Sequence, residues 1–176
     1  MKKNLFAVLT MASMIAVSAC GPKYDRPVEA SQTGFAISLL KNVDAVTPDN
    51  ENVIVSPYSA AVALSMLAEG AEGKTREELD NALGGLLYKA EDLGGGEDLV
   101  VKSANSVWID DNFSPRNRYV SLLEKDFDAF IDVENFASPV AMQAINNWCS
   151  EHTNGKITEI IDRLDPSTVM VLVNAL

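Results

Sequence analysis

The chain has 176 residues, of which 47% are hydrophobic and 22% are charged, and this composition excludes collagen-like and wholly disordered chains. Its 25 acidic residues outnumber 14 basic ones and give a net charge of -11, so binding to a nucleic-acid backbone is not expected. One histidine and two cysteines are too few for a structural Cys/His zinc module. We expect neither a metal nor a cofactor.

Residues 1–19 have the pattern of an export signal. Two lysines follow Met1, and the apolar run over residues 5–17 holds only Thr10 and Ser13 as polar residues. A permanent membrane-spanning helix needs about 20 residues, so this run is too short to be one. The run is followed by SACG at residues 18–21, which resembles the bacterial lipobox and implies cleavage before Cys20 and lipidation of its thiol.

The sequence leaves two roles open for Cys20. Export would also permit a disulfide between Cys20 and Cys149, which is the alternative to lipidation.

Residues 20–30 contain two prolines and mixed charges without an apolar period, and we interpret them as a tether that precedes a domain at residues 31–176. We therefore expect membrane attachment through a lipid anchor in the cell envelope. Gly21 favours the outer membrane or cell surface, because it stands where Asp would indicate inner-membrane retention.

Hydrophobic spacing predicts three helices and one short strand in the first half of the domain. Ser31 could cap a first helix that ends near Thr47, and the β-branched residues 53–55 predict a short strand. Ser56 followed by Pro57 predicts the start of a helix that is apolar all round and therefore buried. Thr75 with Glu78 three residues later predicts a capped helix to about residue 83.

The second half of the domain alternates strands and helices. The glycines at residues 94–96 predict a loop rather than a phosphate cradle. Strands are predicted over residues 99–109, 129–136 and 169–176, and helices over residues 116–127 and 139–152. The last run is apolar without alternation, as in a strand covered on both faces, and it would be an uncapped edge without a neighbour. We expect a mixed α+β fold that is incomplete in this chain.

Three blocks of sequence, in order, resemble the serpin family. The first is NVIVSPYS at residues 52–59, continuing through ALSML at 63–67 to GAEGKTREEL at 70–79. The second is ANSVW at residues 104–108, and the third comprises INNWC at 145–149, TNGKI at 153–157 and VLVNA at 171–175. The resemblance covers residues 31–176 and implies the N-terminal helices and part of the main sheet of a serpin fold.

The resemblance implies a function for the intact form. Inhibitory serpins are cleaved in an exposed loop by a serine or cysteine protease, and the loop inserts into the main sheet while the protease remains attached. Ser56, Ser59 and Asn174 match polar positions that cluster where this sheet opens. The residues alone leave simpler roles open, a helix cap for Ser56 and a strand-end amide for Asn174.

The sequence departs from the family in what it lacks. No segment matches the reactive loop or its hinge, so we interpret the chain as an N-terminal fragment that would neither trap a protease nor form a stable monomer alone. Lys89 is the only base in residues 86–98, where glycosaminoglycan-binding members carry basic residues, and heparin binding is not expected. The alternative function is a non-inhibitory envelope lipoprotein that binds a partner through a serpin-derived scaffold.

An enzymatic role is not expected. Any Cys-His site would have to use His152 with Cys149, and no protease signature accompanies them. His152 at a predicted helix end suits a structural position, because helix C-termini favour cations. Trp108 and Trp148 lie in apolar periods and are predicted to pack in the core.

Overall fold

The computed structural model describes residues 4–9, 32–85, 87–88, 95–96 and 99–176. Cys20, Ser31, Lys89 and the tether lie outside these ranges. Within them the helices are α1 (Gln32–Asp44), α2 (Pro57–Glu69), α3 (Gly73–Ala82), α4 (Asn117–Phe127) and α5 (Pro139–His152). The strands are β1 (Asn4–Leu9), β2 (Gly95–Gly96), β3 (Leu99–Val100), β4 (Ala104–Asp110), β5 (Ala129–Glu134) and β6 (Thr168–Ala175).

Four strands form the main sheet in the order β1-β6-β4-β5. β6 runs antiparallel to β4, whereas β5 is parallel to β4 and β1 is parallel to β6. The expectation that β6 presents an uncapped edge is wrong for this chain, because the backbone of Asn4–Leu9 pairs with it from Thr168 to Asn174.

Helices cover the sheet on both faces, which explains the apolar run of β6. Met170 and Leu172 pack on one face with residues of α2 and α4, among them Met66 and Phe127. Val171 and Val173 point to the opposite face, as alternate residues of a strand do, and pack with residues of α5 and of the segment after it. The sequence-based interpretation of this run as a strand covered on both faces is confirmed.

Several boundaries differ from the sequence-based predictions. Residues 52–56 form no strand but lead directly into α2, which is capped by Ser56 as expected. α3 begins at Gly73 after Glu72, and not at a Thr75 cap. Arg76 joins the two helices here, since its guanidinium binds the Ala68 carbonyl at the end of α2 (Nη1 to O, 3.0 Å) and the Asp80 carboxylate on α3.

Two further differences arise where the predictions used local pattern alone. The strand expected over residues 99–109 is broken into β3 and β4, because β3 pairs in a hairpin with Gly95–Gly96. On α1, the helical spacing of Phe35, Ile37, Leu39 and Leu40 predicts one buried apolar face, but only Phe35 and Leu39 are buried, whereas Ile37 and Leu40 are exposed. Trp108 and Trp148 are buried as predicted. No helix in the described ranges is long and apolar enough to cross a membrane.

Asn146 on α5 fastens the segment that follows this helix. Its side-chain oxygen accepts from the backbone N–H groups of Ile160 (2.8 Å) and Ile161 (3.1 Å), and its Nδ2 donates to the Ile161 carbonyl (2.9 Å). One amide therefore satisfies three backbone groups in a segment without regular secondary structure.

We predict that Asn146→Ala lowers the free energy of unfolding by about 1–3 kcal/mol, because it leaves partly buried backbone groups without partners. Asn147→Ala is the matched control, since Asn147 is the next residue of α5 and is exposed, and it should change stability by less than about 0.5 kcal/mol. Urea unfolding of both variants of the intact protein is the measurement. Equal effects would show that the Asn146 contacts carry no stability.

Candidate functional site

Ser56 and Ser59 form one half of the expected polar cluster, at the start of α2. The Ser56 Oγ accepts from the Ser59 backbone N–H at 3.3 Å and donates to the Ser59 Oγ at 3.0 Å. Ser59 is buried, and α2 packs against the same sheet face as Met170 and Leu172. Ser56 is therefore a helix cap, and its hydroxyl also binds a buried partner.

Asn174 is fully buried in β6 and lies on the face of the sheet that α2 covers, because it alternates with Leu172. Its Nδ2 donates to the Asn105 Oδ1 at 2.8 Å and to the Ser103 Oγ at 3.1 Å. Asn105 lies opposite Asn174 in the β4–β6 ladder, and its own Nδ2 donates to the Phe127 carbonyl at 2.7 Å. A chain of amides thus joins β6, through β4, to the last residue of α4.

The Asn174 Oδ1 has no hydrogen-bond partner although it is buried. A buried acceptor without a donor costs about 1–3 kcal/mol relative to one that is satisfied. The hydroxyl of Tyr58, in the first turn of α2, is buried and unpartnered as well. The side of the sheet that faces the start of α2 therefore retains polar groups that could still accept or donate a bond.

The structure divides the three residues selected from the sequence into two groups. Ser56 binds Ser59, whereas Asn174 binds Asn105 and Ser103, and no hydrogen bond joins Ser56 to Asn174 in the described part of the chain. Sequence reasoning missed Asn105 as a partner of Asn174. Asn105 lies in the ANSVW block, but its position opposite Asn174 depends on strand register, which the sequence does not state.

Cys149 and His152 do not form a reactive pair. The Cys149 thiol is fully buried, and burial raises its pKa, which disfavours the thiolate that a nucleophile requires. The His152 ring stacks on Trp148 with centroids 4.2 Å apart, and its Nδ1 donates to the Trp148 carbonyl at 2.8 Å. Both residues are accounted for by packing and by the end of α5.

A metal site is not formed by the described residues, which contain no group of three His, Cys, Asp or Glu side chains suited to hold an ion. The ion pair between Arg116 and Glu72 (2.6 Å) is exposed on both sides, and such pairs contribute little to stability. The site therefore consists of two separate hydrogen-bonded groups, one in the first turn of α2 and one that joins β6 and β4 to the end of α4.

Comparison with known proteins places this arrangement in a family. The family model described as serpin (serine protease inhibitor) matches residues 30–176. A serpin-like protein of Thermococcus kodakarensis is 31% identical over an alignment 165 positions long, which covers 86% of this chain and 38% of that protein. Human neuroserpin is 26% identical over 192 residues, covering 98% of this chain and 44% of its own length.

Solved structures agree with this relationship. The chain is similar to a loop C-sheet serpin polymer and to the thermophilic serpin tengpin in its latent state, each with a TM-score of 0.75, 31% sequence identity and 86% of this chain covered. The chain spans about two fifths of the length of these proteins, with 42% and 43% of them covered. Over residues 30–176 the chain belongs to the serpin family of serine protease inhibitors.

Proposed function

We propose that the intact protein to which this chain contributes traps a serine or cysteine protease by insertion of a cleaved loop beside β6. The observation that carries the proposal is the match of residues 30–176 to the serpin family, together with the position of β6 in the sheet. The loop itself would come from the rest of the intact protein. In the trapped complex an ester or thioester joins the protease nucleophile to the loop, and the peptide beyond the cleaved bond leaves.

Ser56, Ser59 and Asn174 are proposed to control how readily the sheet opens. Asn174 holds β6 to β4 through Asn105 and leaves one acceptor free. A neighbouring strand that supplied a donor to this acceptor would gain about 0.5–1.5 kcal/mol, and exchange of one strand for another would cost that bond. Ser59 stiffens the helix start against which this region packs.

The protein is further proposed to be a lipoprotein of the cell envelope, anchored through Cys20. The support is the basic start, the apolar run and the SACG motif of the leader. Cys149 is a free buried thiol, which speaks against its use as a disulfide partner of Cys20. With 25 acidic and 14 basic residues, the surface itself would not adhere to anionic headgroups, so attachment would depend on the acyl chains.

A second candidate function is the binding of a partner or ligand without inhibition. Thyroxine-binding globulin complexed with a thyroxine conjugate is among the similar structures, with a TM-score of 0.69 and 26% identity. The same fold therefore also occurs in a protein whose name describes ligand binding. No inhibition, and cleavage as an ordinary substrate, would favour this candidate.

We predict that the intact protein forms a covalent complex with at least one protease in a panel of serine and cysteine enzymes. The complex should resist denaturant in a gel, and a protease with its nucleophile replaced by Ala should form none. The 176-residue chain is the second control and should give no complex, because no segment of it matches the reactive loop. Absence of any complex from the intact protein would refute the inhibitory proposal.

If Cys20 is the lipidated residue, replacement of Cys20 and replacement of Cys149 should have different effects on fatty-acid labelling. In cells supplied with labelled fatty acid, Cys20→Ser should abolish labelling and release the protein from membranes, because the acceptor thiol is lost. Cys149→Ser is the matched control and should remain labelled, since Cys149 lies on the buried face of α5. Labelling that persists in Cys20→Ser would rule out the proposed anchor.

A further inference from the structure

Without β1, the main sheet consists of β6, β4 and β5. Its two outer strands, β5 and β6, differ in how well their free edges are protected from pairing with another strand. β5 has the marks of an exposed edge: Phe130 and Val133 are solvent-exposed, and the Asp132 carboxylate accepts from the Val133 backbone N–H at 2.8 Å. A charged side chain that occupies backbone groups is one way in which proteins block pairing at an edge.

β6 has none of these protections. Its eight residues, TVMVLVNA, contain no charge, no proline and no glycine, and seven of them are buried. Such a strand has the composition of an interior strand and would pair readily with any extended segment that reached it. The chemistry of β6 therefore requires a neighbour on the side away from β4.

The neighbour that β6 has in this chain is the leader segment. Asn4 lies opposite Thr168, and Phe6 to Leu9 lie opposite Val171 to Asn174 in parallel register, with one irregularity between Asn4 and Phe6. β1 also packs near α2, so the segment rests on the helix that supports the sheet as well as on β6. The pairing satisfies backbone groups along nearly the whole length of β6.

We propose that Asn4–Leu9 is an intramolecular cap for the β6 edge, carried by the unprocessed chain and lost when the leader is removed. The cap would keep the edge from pairing with other chains until processing. The loss of the cap on processing rests on the proposed cleavage before Cys20. The pairing of Asn4–Leu9 with β6 concerns the unprocessed chain alone and is independent of cleavage and of protease inhibition.

A disulfide trap tests the pairing in the full chain with Cys20→Ala, which prevents processing. Asn4→Cys with Thr168→Cys places two thiols on partner positions of adjacent strands, which lie about 5 Å apart. Asn4→Cys with Ala175→Cys is the matched control, since Ala175 lies about 23 Å farther along β6, beyond the reach of a disulfide. Mild oxidation should cross-link the first pair within one molecule and leave the second pair free.

A cross-link in the Asn4–Ala175 pair, in neither pair, or only between molecules would overturn the proposal of a cap.

A second measurement tests whether the pairing of β1 can be lost while the rest of the fold is kept. In the Asn4→Cys, Thr168→Cys chain, Ala7→Pro with Val8→Pro removes a backbone N–H from the pairing whichever of the two faces β6, and should lower cross-linking at least tenfold. Ala12→Pro with Ser13→Pro lies outside β1 and should leave cross-linking unchanged.

The buried Cys149 thiol reports on the rest of the fold in the same samples. In the Ala7→Pro, Val8→Pro chain it should stay protected from a thiol reagent while the cross-link is lost, because α5 and its packing lie on the sheet independently of β1. If Cys149 became reactive at the same time, Asn4–Leu9 would be an integral strand, and the proposal of a removable cap would be wrong.

Discussion

The buried amide of Asn174 constrains the centre of this structure. It is the only amide side chain in β6, where Thr168 is the only other polar residue, and full burial obliges it to find partners on neighbouring elements. The bond to Asn105 fixes the register of β6 against β4, because a slip by one residue would turn Asn174 to the opposite face and leave both amides unpaired. The bond from Asn105 to Phe127 extends the same constraint to the end of α4.

Three other polar residues in the blocks that resemble the serpin family, Arg76, Asn146 and Thr153, hold helices and connecting segments in place. Arg76 joins the end of α2 to α3, and Asn146 joins α5 to the segment that follows it. Thr153, at the end of α5, donates to the Cys149 carbonyl and accepts from the Ile157 backbone N–H. These contacts position two layers of helices on a sheet whose strand β6 is buried on both faces. Insertion of a further strand beside β6 would have to occur within this frame.

Much of the fold could be predicted from local pattern. Ser56-Pro57 predicted the start of α2, since a hydroxyl cap followed by proline satisfies the first turn of a helix, and α5 begins with the same pair of residue types at Ser138-Pro139. The unbroken apolar run predicted that β6 is covered on both faces. These signals are carried by neighbouring residues, so they can be interpreted without knowledge of the rest of the chain.

Other features depend on contacts between distant residues and could not be predicted. The contact of Arg76 with the Ala68 carbonyl joins two helices, and the Asn105–Asn174 pair follows from the register of two strands whose paired residues are 69 apart in sequence. The sequence identified Ser56, Ser59 and Asn174 as polar positions in apolar surroundings, but it did not show that they bind different partners. The pairing of Asn4–Leu9 with β6 could not be predicted either, because the leader pattern indicated export and did not indicate a strand partner.

The most direct test of the central constraint is a double-mutant cycle between Asn105 and Asn174 in the intact protein, with unfolding free energies of Asn105→Ala, Asn174→Ala and the double variant. We expect a coupling energy of about 0.5–3 kcal/mol, because the two amides share a buried hydrogen bond. The same cycle between Ser56 and Asn174 should be additive within about 0.5 kcal/mol, since no hydrogen bond joins them in the described residues. Additive effects for Asn105 and Asn174, or a larger coupling for Ser56 and Asn174, would contradict this account of the site.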